Sequence, residues 1–506
     1  MSGAELRRER ASGLRAGTAW CDLTTDAKGA RVRDPLLAKV LVLDDGHTRV
    51  GIVAMDTTAI GGRAISRGAL SDVGEQFLPT LRARVEEDLG IPGASLLVNA
   101  SHTHPPGPLL CDDAAQVERV FDALRWAQEG MVAARVGAGA GRESRITMNR
   151  TLRLKNGKHW TLRHAHPSPP DEEVAAVGPI DPEIGILRVD RADGRPLAVI
   201  YNFACHPLFG DVEGSLTANF PGIASRVIEE SLGEGAMALF IQGAGGDVID
   251  LGFKAFDRPR DIEPMGIRLG LSALKAARQI RTEEARISVA SETIALPRRT
   301  DFPERIAELL QEQAALLASL RSTSLNFRSF LPLYLQHALA PDYPGGEAYR
   351  YLQAASAARD ANAGAVPDPA AMDDLNRRNI AKYLKNIEAM EKLTRIQDDL
   401  ATLRKHQAIN QEAGSPTIPA EVLGIRIGEC VLISSPAEVL TEVGLNIKRA
   451  SPYEHTFLAA FSNGYLHYGP PASDYDKGGY EVTECLLAPE WQRLFEEAAQ
   501  RVIARL

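Results

Sequence analysis

Short apolar runs alternate with stretches of helical hydrophobic spacing from Leu36 to about Leu296. Short apolar runs predict buried strands, whereas apolar residues three or four positions apart predict amphipathic helices. The predicted strands are Lys39–Leu43, Val50–Met55, Ser95–Asn99, Ile184–Val189, Leu197–Ala204 and Ala236–Gln242. The predicted helices are Ser71–Leu89, Ala114–Gly137, Ile223–Leu232 and Met265–Arg278. This alternation predicts an α/β fold, a mixed sheet with helices on its faces.

A different pattern begins near residue 298. Two long helices rich in Ala, Leu and charged residues are predicted, Glu304–Leu320 and Arg378–Gln407, with a polar Pro- and Gly-containing connection between them. Strand-like segments and a final helix follow, at Ala420–Ile427, Cys430–Ser434, His455–Phe461 and Pro489–Leu506. We therefore predict an α/β catalytic core formed by residues 1–297 and 416–506, interrupted by a helical insertion at 298–415.

Composition and charge narrow the classes of partner. The 506 residues are 44% hydrophobic and 24% charged, which is the balance of a globular protein. The net charge is −9 and no dense basic run is present, so we predict a small-molecule substrate and no nucleic-acid partner. No apolar stretch is long enough for stable membrane insertion. Assembly into a homo-oligomer is left open.

The cysteines indicate a reducing compartment. The five cysteines lie far apart and form no C-x-x-C pair, so neither a disulfide framework nor a cysteine zinc knuckle is predicted. The N-terminal segment is charged and has no apolar leader region. We therefore predict a cytoplasmic protein.

Histidines follow two of the predicted strands. His102 and His104 come directly after the run LLVNA, and in an extended chain both side chains point to the same side. His206 ends the strand of YNFACHP in the same way. Imidazoles at two strand ends favour a metal site, although hydrogen-bonded core or turn histidines are the alternative. Asp56 and Asp247 also lie at strand ends, where carboxylates can orient metal-binding histidines.

Six motifs together resemble the neutral (alkaline, non-lysosomal) ceramidases, zinc amidohydrolases that cleave the N-acyl bond of ceramide. They occur in that family's order, across most of the chain from about residue 35 to 485. The motifs are NASHTHPPGP (99–108), MNR (148–150), YNFACHP (201–207), FIQGAGGD (240–247), SPAE (435–438) and NGYLHY (463–468).

The resemblance implies a zinc site and a set of groups that face the substrate. It implies zinc ligation by His102, His206, Glu438 and Tyr468, with His104, Arg150 and Tyr480 as catalytic or substrate-facing groups. Two imidazoles, one carboxylate and one further oxygen suit Zn²⁺ better than Ca²⁺ or Mg²⁺. Taken singly, these residues have ordinary alternatives: Glu438 as a helix cap, the tyrosines as packed aromatics and Arg150 as an ion-pair partner.

Two departures from the ceramidases change the expected chemistry. Gly243 and Ala244 stand where that family has its nucleophilic serine and the following asparagine, so attack by a serine is not expected. The glycines either form a tight turn with positive φ or contribute N–H groups to an oxyanion nest. The chain also ends soon after the tyrosine segment, without the further β-sandwich domain of the ceramidases. Ceramide itself is therefore not the expected substrate.

These observations predict a zinc-dependent hydrolase that uses metal-activated water on an amide or ester of a small polar or acylated compound. His104 or a carboxylate would take the proton, and Arg150 with Tyr480 would stabilise the oxyanion. One alternative is a metal-dependent lyase or glycoside-cleaving enzyme with a tyrosine as acid and base. Another is a non-catalytic member of the family that binds a ligand.

Overall fold

A computed structural model describes residues 13–66, 73–104, 110–163, 167–208, 214–251, 261–339 and 369–506. The chain forms two compact units. The first contains the residues up to Thr300 together with His406–Leu506, and the second is Asp301–Lys405. The first unit is a mixed α/β structure, so the predicted fold class is confirmed.

The strands in the described residues all belong to the first unit. They are β1 (Arg15–Asp22), β2 (Leu37–Asp44), β3 (Arg49–Met55), β4 (Leu96–Ala100), β5 (Val132–Arg142), β6 (Thr147–Asn149), β7 (Thr151–Leu154), β8 (His159–Thr161), β9 (Val174–Val177), β10 (Glu183–Arg191), β11 (Pro196–Phe203), β12 (Met237–Gln242), β13 (Val248–Asp250), β14 (Ile287–Pro297), β15 (Thr417–Ile427), β16 (Cys430–Ser434), β17 (Glu438–Val439), β18 (His455–Ala459) and β19 (Tyr468–Gly469).

The helices occur in both units. They are α1 (Arg63–Ser66), α2 (Phe77–Leu89), α3 (Asp113–Glu129), α4 (Asn219–Leu232), α5 (Glu263–Ala277), α6 (Phe302–Ser319), α7 (Phe327–Leu339), α8 (Pro369–Glu412), α9 (Thr441–Ala450), α10 (Tyr480–Thr483) and α11 (Trp491–Ile503). Within the second unit, Phe330 of α7 stacks on Tyr383 of α8 with ring centroids 4.4 Å apart. No helix in the described ranges is both long and apolar enough to cross a membrane.

The main sheet has eight strands in the order β12-β11-β10-β5-β1-β2-β3-β4. Its pairs are antiparallel except at the two edges, where β11 pairs with β12 and β3 with β4 in parallel. A smaller sheet has the order β14-β15-β16-β18. The two sheets share an apolar core to which Ile52, Leu187, Leu432 and Phe457 contribute, and burial of this core stabilises their packing.

The two edges of the main sheet meet through side-chain and backbone hydrogen bonds. Asn99 of β4 accepts the backbone N–H of Gln242 at 2.8 Å and donates to the carbonyl of Ala460 at 2.5 Å. The N–H of Ala460 in turn donates to the carbonyl of Gln242 at 3.0 Å. These buried bonds bring the loops that follow β4 and β11 to one region of the molecule.

One predicted helix is partly wrong. The stretch Ala114–Gly137 is helical only to Glu129, where α3 ends, and β5 begins at Val132. The glycines of β5 explain the error, because they remove the large apolar residues that mark a strand. A Cβ atom on Gly137 would lie 2.1 Å from the carbonyl oxygen of Arg281, so close backbone packing requires glycine here. Strands β1, β6–β9, β13, β14, β17 and β19 were also not predicted.

Candidate metal centre

His102 lies two residues beyond β4 in an unusual backbone conformation. Its φ is 65°, a left-handed value that is uncommon outside glycine, and its N–H donates to the carbonyl of Thr57 at 2.9 Å. The ring Nδ1 lies 2.6 Å from the carbonyl oxygen of Thr58. A carbonyl can only accept, so Nδ1 carries the hydrogen and the neutral ring keeps its lone pair on Nε2.

His206 is held in the same way at the end of β11. Its N–H donates to Val248 at 2.9 Å, and its Nδ1 donates to the carbonyl of Gly245 at 2.5 Å. The Nε2 atom again keeps the lone pair. The two rings lie with centroids 4.7 Å apart. Two separate strand ends therefore present imidazoles in the tautomer that metal ligation through Nε2 requires.

Glu438 and Tyr468 are brought together by the pairing of two short strands. β17 and β19 are parallel, and Glu438 is the register partner of Tyr468. One carboxylate oxygen of Glu438, Oε2, lies 3.1 Å from Nε2 of His206 and 3.4 Å from Nε2 of His102. The hydroxyl of Tyr468 lies 3.5 Å from Nε2 of His206. The four sequence-predicted ligands thus converge on one buried position.

The protonation states suit metal ligation. Burial opposes ionisation of Glu438, but His102 and His206 outweigh it and hold the pKa of this carboxyl well below its ordinary value. Burial lowers the pKa of His206 to about 4, although a hydrogen bond to Glu438, which forms only when Nε2 is protonated, acts in the opposite direction. At neutral pH the carboxylate is therefore charged and the His206 ring is neutral.

The geometry of the donor set suits a bound metal ion. Ligand atoms of His102, His206 and Glu438 all lie within 4.8 Å of one another. Nε2 of His102 is buried and has no hydrogen-bond partner among the described residues. A buried lone pair of this kind is costly unless a proton or a cation meets it. Two nitrogen ligands and a carboxylate are typical of zinc.

Glu438 does not cap the helix that follows it. Helix α9 begins at Thr441, whose N–H donates to Oδ1 of Asp247 at 2.9 Å. The Glu438 carboxylate faces the histidines instead. Asp247 is therefore the residue that satisfies this helix end.

The prediction that the carboxylates of Asp56 and Asp247 orient the histidines is wrong. Asp56 accepts the N–H of Leu37 at 3.0 Å, and Asp247 bonds to Thr441 and Asn149. Backbone carbonyls orient the imidazoles instead, as described above. Carbonyls leave no sequence signal, since any residue can supply one.

Arg150 lies beside the cluster in a buried ion pair. Its Nε donates to Oε1 of Glu481 at 2.7 Å, and its Nη2 donates to the Tyr468 hydroxyl and to the carbonyl of Gly246, both at 2.9 Å. Thr161 donates to the other oxygen of Glu481 at 2.7 Å. The contacts of Arg150 thus fix Tyr468, while its contact with a substrate stays a prediction.

His104 and Tyr480 complete the predicted site residues. His104 is half-buried, and its Nδ1 lies 2.7 Å from the carbonyl of His102. Burial, with His102 and His206 nearby, lowers its pKa well below the ordinary value. The ring of Tyr480 lies 5.5 Å from that of Tyr468, and burial raises its pKa. His104 is therefore neutral and Tyr480 protonated at neutral pH. A further pair of histidines with the same spacing as His102 and His104, His164 and His166, lies outside the described residues.

The glycine N–H groups in the turn after β12 are used in backbone hydrogen bonds, so they do not form an oxyanion nest. The N–H groups of Gly243, Gly245 and Gly246 donate to Phe203, Gly243 and Val439. None of the three glycines has a positive φ. Close packing requires them instead, because a Cβ atom on Gly245 would lie 2.7 Å from the backbone nitrogen of Cys205. At Gly243 the same atom would lie 3.2 Å from Ala204, which leaves little room for a serine.

Sequence analysis missed three residues near the centre. Tyr465 donates to Oε1 of Glu438 at 2.5 Å, and Glu481 pairs with Arg150. Arg163 stacks on Tyr480 with its guanidinium carbon 4.1 Å from the ring centroid. Tyr465 stands within the motif NGYLHY, and Glu481 directly follows the predicted site residue Tyr480, so proximity to predicted residues was the available signal.

A second buried group of two histidines and a glutamate lies in the same unit. His406, His467 and Glu484 also have ligand atoms within 4.8 Å of one another. His406 Nε2 lies 2.7 Å from Oε2 of Glu484, and the rings of His406 and His467 are 5.0 Å apart. We call this the second cluster, and the group of His102, His206 and Glu438 the first cluster.

Known structures share this fold at low sequence identity. The crystal structure of neutral ceramidase from Pseudomonas aeruginosa matches with a TM-score of 0.59 and 18% identity, covering 98% of this chain and 75% of that chain. A ceramidase structure described as complexed with C2 matches with a TM-score of 0.59 and 17% identity, covering 97% and 75%. No protein-family model and no curated protein sequence matches the chain. The shared feature is a ceramidase-like fold.

Proposed function

We propose that the protein is a zinc-dependent hydrolase that cleaves an amide, or with lower preference an ester, of a small polar or acylated compound. One observation carries the proposal: Nε2 of His102 and Nε2 of His206 lie 3.4 and 3.1 Å from the same oxygen of Glu438. The ceramidase-like fold supports the reaction class. His102, His206, Glu438 and the Tyr468 hydroxyl would hold the ion. Zinc in such a site acts as a Lewis acid that polarises a carbonyl and makes water acidic near neutral pH.

The side chains around the cluster supply the remaining chemistry. Water adds to the carbonyl carbon, the C–N bond breaks, and a proton passes from water to the leaving amine, so the products are a carboxylic acid and an amine. His104 can carry this proton on Nε2, because its Nδ1 hydrogen is donated to the carbonyl of His102. Tyr480, whose pKa is raised by burial, keeps a hydrogen to donate to the developing oxyanion. Arg150 holds the hydroxyl of Tyr468.

Metal content tests the site. His206→Ala should remove bound zinc and hydrolytic activity together while far-ultraviolet circular dichroism stays unchanged, because it deletes one nitrogen donor. His455→Ala is the matched control, since His455 lies in β18 and outside both clusters. A His206→Ala protein with normal zinc content by elemental mass spectrometry contradicts the site.

Product analysis tests the reaction. Hydrolysis of N-acyl substrates in H₂¹⁸O should place one ¹⁸O atom in the carboxylate product. An unsaturated product that absorbs in the near ultraviolet indicates elimination instead. Absence of turnover across N-acyl and saccharide substrates, with ligand-dependent stabilisation retained, indicates a binding protein. Either result overturns the hydrolase proposal.

A further inference from the structure

Arg163 is the cation near the first cluster that lacks a carboxylate partner among the described residues. It follows β8 and is half-buried, and its described contact is with the ring of Tyr480 at 4.1 Å. Arg150 differs, because Glu481 balances its charge at 2.7 Å. Two arginines thus lie beside the same tyrosine, one paired and one unpaired.

The contact with Tyr480 orients Arg163 without neutralising it. The guanidinium lies over the ring face, where the negative part of the ring quadrupole attracts a cation. The ring carries no net charge, so all of the guanidinium charge stays available to a ligand. Stacking also reduces the number of side-chain conformations, which lowers the entropy cost of binding.

The position of Arg163 relates it to the proposed metal. The Tyr480 ring lies 5.5 Å from the Tyr468 ring, and the Tyr468 hydroxyl lies 3.5 Å from Nε2 of His206. Arg163 is therefore separated from the first cluster by two aromatic rings in contact. To contact both the cluster and Arg163, a substrate would have to extend past these two rings.

We propose that Arg163 binds a carboxylate of the substrate and that the natural substrate is an anionic N-acyl compound. This inference rests on the proposed hydrolase function. A guanidinium binds a carboxylate through two parallel hydrogen bonds, which gives selectivity over neutral groups of the same size. The carboxylate lies either on the amine side of the amide, as in an N-acyl amino acid, or on the acyl side, as in an N-alkyl succinamic acid.

Matched substrates test the inference. The zinc-loaded protein is assayed with N-hexanoyl amino acids and with N-hexanoyl amino alcohols, in which a hydroxymethyl group replaces the carboxylate. N-hexylsuccinamic acid and its neutral counterpart test the acyl side. We expect Arg163→Gln to lower kcat/KM for one anionic series by about 10- to 100-fold, mainly through KM. Its effect on the neutral series should stay below about twofold.

Two further variants separate anion binding from a structural role. Arg163→Lys keeps the charge but loses the paired hydrogen bonds, so it should restore part of the selectivity. Arg153→Gln is the control, because Arg153 is exposed and lies 3.7 Å from Glu442. An equal loss on anionic and neutral substrates means that Arg163 acts only by packing on Tyr480, and it overturns the inference.

Failure of the inference differs from failure of the proposed function. If the wild type hydrolyses neutral and anionic substrates equally, the hydrolase proposal stands and the role of Arg163 is wrong. If the wild type hydrolyses none of them, the inference is wrong, and the wider screen of N-acyl and saccharide substrates decides the hydrolase proposal. Calorimetric binding of N-hexanoylglycine gives a second readout that needs no turnover. Equal affinity of the wild type and Arg163→Gln both for this compound and for N-hexylsuccinamic acid also overturns the inference.

Discussion

The two clusters have the same composition but present their nitrogen atoms differently. In the first cluster both imidazoles donate Nδ1–H to backbone carbonyls and direct Nε2 at one oxygen of Glu438. In the second cluster, His406 Nε2 forms a 2.7 Å hydrogen bond with Glu484. Nε2 of His467 lies 3.3 Å from the carbonyl of Ile65, which makes it a donor. The orientation of the rings, and not the residue types, therefore marks the first cluster as the candidate metal site.

The clusters are connected through Tyr465. Its hydroxyl donates to Oε1 of Glu438 at 2.5 Å and lies 3.4 Å from Nδ1 of His467. The second cluster thus lies on the Oε1 side of Glu438, whereas His102 and His206 lie on the Oε2 side. We interpret it as a hydrogen-bonded support for the first cluster.

Substitution of the two glutamates gives the largest expected contrast. Glu438→Gln removes the carboxylate of the first cluster. We expect zinc affinity to fall by more than about 100-fold, which exceeds the loss typical for residues that only hydrogen-bond to a metal-binding side chain. Glu484→Gln should leave zinc affinity within about threefold and cost about 1.5 to 3 kcal/mol of folding free energy, because a charge-assisted hydrogen bond is lost.

Zinc affinity is measured by competition with a chelator, and stability by urea unfolding. A fall in zinc affinity of similar size in both variants would show that the second cluster also binds metal. The distinction drawn from the tautomers would then be wrong.

The loops that carry single residues of the first cluster could be predicted from the sequence more readily than the proximity of these residues in the fold. Apolar runs that end in polar residues marked the loops of His102 and His206, because strand ends are visible in the local pattern. The bond from Asn99 to Ala460 spans 361 residues, and no local pattern encodes such a contact. Arg163 shows the same limit, since whether an arginine is paired depends on which carboxylates the fold brings near it.

Tyr465→Phe tests the connection between the clusters. The change deletes one hydroxyl and keeps the ring, so the fold should be retained while Glu438 loses its hydrogen bond. Residues that orient metal ligands typically contribute 10- to 100-fold to affinity, and we expect about a tenfold loss of zinc affinity. Tyr475→Phe is the control, because that hydroxyl bonds to the carbonyl of Leu487 and not to the cluster. An unchanged zinc affinity in Tyr465→Phe would show that the clusters are independent.

The smallest expected effect concerns a carboxylate paired with arginine instead of histidine. Burial opposes ionisation of Glu143, but Arg145 and Ser272 outweigh it and lower its pKa from 4.5 to about 2. The unfolded chain therefore binds this proton more readily, and Glu143 stabilises the fold above about pH 5 and loses that effect as the pH falls towards 2. Relative to Glu143→Gln, the wild-type Tm should fall by about 1 to 3 °C between pH 5 and 3. Arg145 keeps its charge throughout this range, so the difference from Glu143→Gln reports protonation of Glu143. A wild-type Tm that rises against Glu143→Gln on acidification would contradict the assigned direction.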